Sequence, residues 1–113
     1  MPRPAASDAF SAVSEPHRRR ILDLLVSGER SVGNIAGTLG MEQPQTSKHL
    51  RVLLAAGLVG VRGVGKQRLY RLNGQALRPI HDWVKGYEQL WGERFDRLEQ
   101  YLKQEQDKGE GNI

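Results

Sequence analysis

The sequence predicts a mainly α-helical domain that carries one small β-hairpin. Three observations lead there. Apolar residues recur every three or four positions in several separate segments. Residues 59–72 alternate instead, and Gly63 and Gly65 sit at their centre. Basic charge gathers in residues 42–81, over one of those helices and the hairpin.

The elements follow in order. Residues 5–13 suit a short helix with Phe10 and Val13 on one face. "SEPHRRRILDLLVSGER" starts a second helix, with Ser14 expected as N-cap and Pro16 in the first turn. Ile21, Leu22, Leu24 and Leu25 form its apolar face, and Gly28 is the expected stop. In "RSVGNIAGTLGM", Val32, Ile35, Ala36 and Leu39 fall on one helical face. Gly33 and Gly37 weaken that helix and are expected to admit another helix at close range. Gly40 ends it.

A three-residue turn leads to a helix over Gln43–Ala56, stopped by Gly57, so residues 31–57 read as helix, turn, helix. At about 100° per residue, Thr46, Leu53 and Leu54 fall within about 60° of Leu50, and Ser47 lies at the edge of that stripe. Gln45, Lys48 and Val52 point nearly opposite, His49 and Arg51 flank them, and Gln43 projects from the leading end. The hairpin, residues 59–72, has a basic tip and must pack on the helices, because a lone hairpin is marginal in water. From Asn73 one long helix is expected to run to about Gln104, with residues 74–104 carrying Leu77, Ile80, Val84, Tyr87, Trp91, Phe95, Leu98 and Leu102 at threes and fours. It holds Trp83, Tyr87, Trp91, Phe95 and Tyr101, five of the seven aromatic residues. That is too much apolar surface for a protruding helix of a small monomer, so a partner is expected to cover it. Residues 105–113 read as a disordered tail.

Composition narrows the function. The 113 residues fit a single domain whose core is modest. There is no Cys, hence no disulfide, thiolate ligand or Cys nucleophile, in keeping with a cytoplasmic location. No apolar run approaches the ~20 residues of a membrane span, and the N-terminus lacks a signal-peptide pattern. No Gly-rich phosphate loop, paired carboxylates or Ser–His–Asp constellation points to an enzyme or a cofactor. Residues 42–81 hold Lys48, Arg51, Arg62, Lys66, Arg68, Arg71 and Arg78 against Glu42 alone, a net +6, while residues 1–41 come to +1 and residues 82–113 to −3. A polyanion is the partner such a block selects.

Helix, glycine turn, helix, basic hairpin is the order of a winged helix-turn-helix. "SEPHRRRILDLL", "QPQTSKHLRVLLAAGLV" and "GKQRLYRL" also resemble the three signature blocks of the ArsR/SmtB-type bacterial transcriptional repressors. The resemblance covers about residues 8–102, and its middle block is the specific one. It implies a homodimer, built from the first and last helices, on a two-fold symmetric double-stranded DNA operator. It also implies release of DNA on arrival of an effector, whose identity the sequence leaves open.

The residues then take roles. Gln43 and Gln45 are expected to read base edges and Lys48 to donate to guanine. Ser47 and His49 would bond phosphate or a base edge, and Arg51 would hold the backbone. On the wing, Arg62, Lys66 and Arg68 would contact phosphates. Phe10, Ile80, Trp83, Val84, Tyr87, Trp91, Phe95 and Leu98 are the expected dimer surface. Arg18, Arg19 and Arg20 fit either phosphate contact or structural ion pairs. Glu42 departs from the Ser or Thr usual at this cap and puts a carboxylate beside the DNA surface.

Many relatives of this type sense metals through Cys before the recognition helix, or through Asp and His on the last helix. Here no Cys is present, His17, His49 and His81 look scattered, and zinc needs roughly four placed ligands, so no metal is expected. Two alternatives remain at this level: a winged-helix module for protein–protein contact, and a metal-responsive repressor with an unrecognised site.

Overall fold

The computed structural model of the chain describes residues 6–92 and 100–103. Its elements run α1 (Ala6–Val13), α2 (Pro16–Leu25), β1 (Arg30–Ser31), α3 (Val32–Leu39), α4 (Gln43–Ala55), β2 (Val59–Val64), β3 (Gln67–Leu72), one 3-10 turn (Gly74–Leu77) and α5 (Arg78–Lys85). The chain divides after Ile80 into two units, residues 1–80 and 81–113.

In the first unit, Ile21 of α2, Ile35 of α3, Leu50 and Leu53 of α4 and Leu58 just before β2 are fully buried. Three helices therefore meet on one core, and Tyr70 and Leu72 of β3 pack onto it from the sheet. α1 adds Ala9 and Ala12, both buried, while the expected Phe10 and Val13 are only half-buried. The small alanines allow α1 to sit close to α2 and α4.

The start of α2 differs from expectation by one residue. Glu15, not Ser14, is the N-cap, and its carboxylate accepts from the Arg18 N–H at 3.1 Å. Pro16 at the first helical position fixes the cap immediately before it. Ser14 closes α1 instead, donating from its hydroxyl to the Ser11 carbonyl at 2.6 Å. The Arg18–Arg20 run is structural, and its acceptors are carbonyls rather than carboxylates. Arg18 donates to the carbonyls of Ala12 (2.6 Å) and Ser11 (3.3 Å), Arg19 to Val13 (2.7 Å) and Arg20 to Leu39 (3.1 Å). These are the last carbonyls of α1 and α3, which have no acceptor role inside their own helices.

Ser31 caps α3, accepting from the Asn34 N–H at 3.1 Å. Gly40 ends α3 at φ 66°, a left-handed conformation that favours glycine. Gly33 and Gly37 do not admit a helix: a Cβ at either would meet nothing within 4 Å. In α4, Thr46 is fully buried and its hydroxyl donates to the Glu42 carbonyl at 2.9 Å, which reconciles a polar residue with the core. Ala56 caps α4 and Gly57 follows at φ 76°.

The sheet has three strands in the order β1-β3-β2, one more than the hairpin the sequence predicts. β1 pairs Arg30 with Tyr70 and Ser31 with Leu69. Two residues carry no readable alternation, and one of them is also the cap of α3. In the hairpin Val64 pairs with Gln67, leaving Gly65 and Lys66 as a two-residue turn. Gly65 has φ 60° and Lys66 does not have positive φ, the type II′ pattern with glycine first.

The expected continuous last helix is interrupted. After α5, residues 86–87 form a turn and residues 88–92 are helical again. The N–H groups of Gly86 and Tyr87 donate to the carbonyls of Trp83 and Val84, three residues back, in place of the four-residue spacing. Glycine at this point has the weakest helical preference after proline. Residues 100–103 are helical, and the expected tail, residues 105–113, lies outside the described residues.

Two substitutions test this packing by denaturant unfolding. Leu50→Ala should cost about 3 kcal/mol, while Val52→Ala, two residues on but outward-facing, should cost under about 0.5 kcal/mol. Gly37→Ala should stabilise by roughly 0.5–1 kcal/mol through helix propensity; a loss instead would mean that a neighbouring element packs there.

Candidate nucleic-acid interface

The core stripe of α4 decides what the rest of the helix presents. With Thr46, Leu50 and Leu53 buried, Gln43, Gln45, Lys48 and Arg51 are exposed, and Ser47 is half-buried at the edge. Glu42 sits at the N-cap in extended conformation, but its side chain makes no cap hydrogen bond. Its carbonyl instead takes both the Thr46 N–H and the Thr46 hydroxyl, each at 2.9 Å. The first-turn N–H groups of Gln43 and Gln45 have no intrahelical acceptor, because no helical turn precedes them, and Pro44 between them has no N–H. This end of α4 carries exposed donors and the positive end of a helix dipole, which favours an anion.

Between α4 and the hairpin lies a groove of about 700 Å³. Ser47, Arg51 and Leu54 line its helix side and Lys66, Gln67, Arg68 and Tyr70 its strand side, with Ser31, Val32 and Gly33 at its end. Three cations and no carboxylate face this space. The hairpin register explains the choice. Gly63 pairs with Arg68 and Val61 with Tyr70, so these four share the sheet face turned to the helices.

Arg62 is on the other face, opposite Leu69. There its guanidinium donates to both oxygens of Glu29, at 2.8 and 2.9 Å. The hydrogen bond from Arg62 holds the Glu29 carboxyl below its ordinary range, and Glu29 in turn raises Arg62. The structure thus sets Arg62 apart from Lys66 and Arg68, with which the sequence groups it on the wing. Alternation along β2 carried that signal: residue 62 has the opposite parity to Val59 and Val61, whose face meets the helices.

His49 also departs from the reading face. Its side chain is 14% exposed and turns toward α2. It stacks on His17, with ring centroids 5.7 Å apart and planes within 6°. His17 Nδ1 lies 2.8 Å from Glu15 Oε1, and His49 Nδ1 lies 3.9 Å from Glu15 Oε2. Burial lowers the His49 pKa against the opposing pull of Glu15, while the hydrogen bond with His17 lowers that of Glu15. Two of the three histidines that look scattered in sequence are therefore neighbours, and Glu15, His17 and His49 offer ligand atoms within 4.8 Å of one another. In the second unit, His81 Nδ1 lies 3.4 Å from the Asp82 carboxylate.

Of the expected dimer surface, Ile80 is half-buried against the core of the first unit. In the second unit Trp83, Tyr87 and Trp91 are exposed, at 56%, 41% and 39%. They form a ladder: Tyr87 meets Trp83 edge-on at 5.5 Å and stacks on Trp91 at 5.9 Å. Val84 is half-buried, as is Phe10 of α1, and Phe95 and Leu98 lie outside the described residues. Leu90, three positions after Tyr87, is also exposed, at 72%. No helix among the described residues is long and apolar enough to cross a membrane.

Residues 13–62 match the family model of a helix-turn-helix domain. The chain is similar to the transcriptional repressor SdpR of Bacillus subtilis, 33% identical over 81 residues that span 72% of this chain and 90% of SdpR. It is 34% identical to the regulator Rv2034 of Mycobacterium tuberculosis over 90 residues, 73% of this chain and 84% of that one. Among solved structures, a possible transcriptional regulator for arsenical resistance aligns at TM-score 0.65 and 40% identity, over 80% of this chain and 92% of its own. The homodimeric winged helix-turn-helix DNA-binding domain of Mb0332 from Mycobacterium bovis, a possible ArsR-family regulator, aligns at TM-score 0.61 and 34% identity, over 76% and 82% of the two chains. With the helix–turn–helix and basic wing seen here, these similarities make the chain a member of the ArsR/SmtB family of winged helix-turn-helix transcriptional regulators.

Proposed function

We propose that the chain is a homodimeric repressor that seats the N-terminal end of α4 in the major groove of a two-fold symmetric operator and lays its wing on the flanking backbone. The observation that carries this is the carboxylate-free groove between α4 and the hairpin, with Arg51, Lys66 and Arg68 around it. Gln43, Gln45 and Lys48 read base edges from the exposed tip of α4. Ser47, Arg51, Lys66 and Arg68 hold phosphates, which sets register without specifying sequence. His49, turned to α2, positions the helix rather than touching DNA. Arg62 stays on Glu29.

The second copy covers the aromatic ladder. Three large aromatic side chains and Leu90 exposed together exceed what scattered surface apolar residues account for. A two-fold dimer on a symmetric operator would set two α4 tips in successive major grooves, about 34 Å apart. The reading places the protein in the cytoplasm, with the DNA it regulates, and leaves no role in it for an enzyme's chemistry.

A gel-shift salt series with the chain's own upstream region tests the core of it. Affinity should fall by roughly 0.9 log unit per log unit of salt for every phosphate neutralised; salt-insensitive or absent binding would overturn the proposal. Lys66→Ala should weaken all DNA alike and flatten that slope by about one contact. Gln45→Ala should instead cost ~1–3 kcal/mol of discrimination between operator and random DNA, with the slope kept. Arg62→Ala should leave the slope unchanged, because Glu29 already occupies that guanidinium; a flattened slope would put Arg62 on DNA. Trp91→Asp should sediment as a monomer and lose operator binding, whereas a persistent dimer would move the interface elsewhere.

A further inference from the structure

We propose that Glu15, His17 and His49 form a binding site for a divalent transition-metal cation of the zinc class, one that fastens the N-terminus of α2 to the middle of α4. The three side chains come from two elements, and their ligand atoms lie within 4.8 Å of one another. Both imidazoles turn Nδ1 toward the same carboxylate, one toward each oxygen. The 3.9 Å between His49 Nδ1 and Glu15 Oε2 is too long for a hydrogen bond. It is close to the span of two ligands around one ion: bonds of ~2.1 Å at tetrahedral angles put ligand atoms about 3.4 Å apart.

Two borderline imidazole nitrogens and one hard carboxylate oxygen make a mixed set that zinc, cobalt(II) and nickel(II) accept, with water completing the shell. Glu15 is held for the purpose. Its Oε2 accepts from the Arg18 N–H at 3.1 Å, so the cap of α2 orients the carboxylate as an outer-shell partner would. His49 is 14% exposed and fixed by packing; His17, 42% exposed, has room to adjust its torsions and close the shell. The nearest cation on α2, Arg18, has its guanidinium spent on the carbonyls of Ala12 and Ser11. Binding would put the ion in place of the hydrogen bond between His17 Nδ1 and Glu15, with each ligating imidazole keeping an N–H only on its other nitrogen.

The site draws on neither the helix before α4 nor the last helix. The test needs no DNA. Metal-free protein is titrated with zinc chloride in a thermal melt and with cobalt(II) under visible absorption. Zinc at about a hundredfold excess over its dissociation constant should raise Tm by at least ~5 °C, reversibly with chelator. Cobalt should develop ligand-field bands at one equivalent per chain. His17→Gln, at a partly exposed position that leaves the core intact, should lose the bands and most of the Tm shift while melting like the metal-free parent. No zinc shift and no cobalt bands in the parent, or an equal response in His17→Gln, would overturn the assignment.

Discussion

The seating of α4 is the constraint on which the rest of the structure depends. Thr46, Leu50 and Leu53 lie on one line of that helix and are fully buried. Leucines in such a site contribute a few kcal/mol each, a large share of the marginal stability of a domain this size. Turning the helix by one residue would bury Lys48 or Arg51 and expose Leu50, so its orientation is not free to drift. Thr46 adds direction to the apolar fit: its hydroxyl and its N–H converge on the Glu42 carbonyl and fix the first turn. The exposed tip with Gln43, Gln45 and Lys48 is the complement of that buried stripe.

Electrostatics is sorted by the same geometry. Alternation in the hairpin sends Arg68 to the face turned to α4, and Arg62 to the face where Glu29 waits. The arginine run of α2 is consumed by helix carbonyls. The net charge of the chain therefore says less than its partition, because only part of it is left for a polyanion. Glu42 fits into this scheme through its backbone. The carbonyl does the capping work, and the unpaired side chain leaves first-turn N–H groups open to an anion. A Ser or Thr at that position would fill one of them. The carboxylate itself is exposed, and nothing in the structure gives it a role beside DNA.

Where periodicity was long, the sequence was readable. The faces of α2, α3 and α4, the hairpin and the apolar excess after Asn73 all follow from spacing. What escaped was set by single residues or by contacts across the chain. The two-residue β1 has no period. Pro16 moved the α2 cap to Glu15, and Gly86 broke a helix whose apolar spacing runs straight through it. His17 and His49 are 32 positions apart in sequence, and only the packing of α2 on α4 stacks them. Arg62 was legible in principle, since its parity in β2 set it apart from Arg68. The 100° wheel puts His49 beside the outer face of α4, yet its side chain is largely buried and stacks on His17 of α2, a contact that no single-helix wheel contains.

In the proposed complex two copies of α4 reach one face of a duplex and the wings grip the backbone on either side. Hydroxyl-radical footprinting combined with guanine-methylation interference on the upstream region measures that arrangement directly. The expected pattern is two equivalent blocks of major-groove interference centred about 10 base pairs apart, each flanked on its outer side by backbone protection from the wing. A single block, unequal half-sites with no two-fold relation, or backbone protection without any major-groove interference would contradict it.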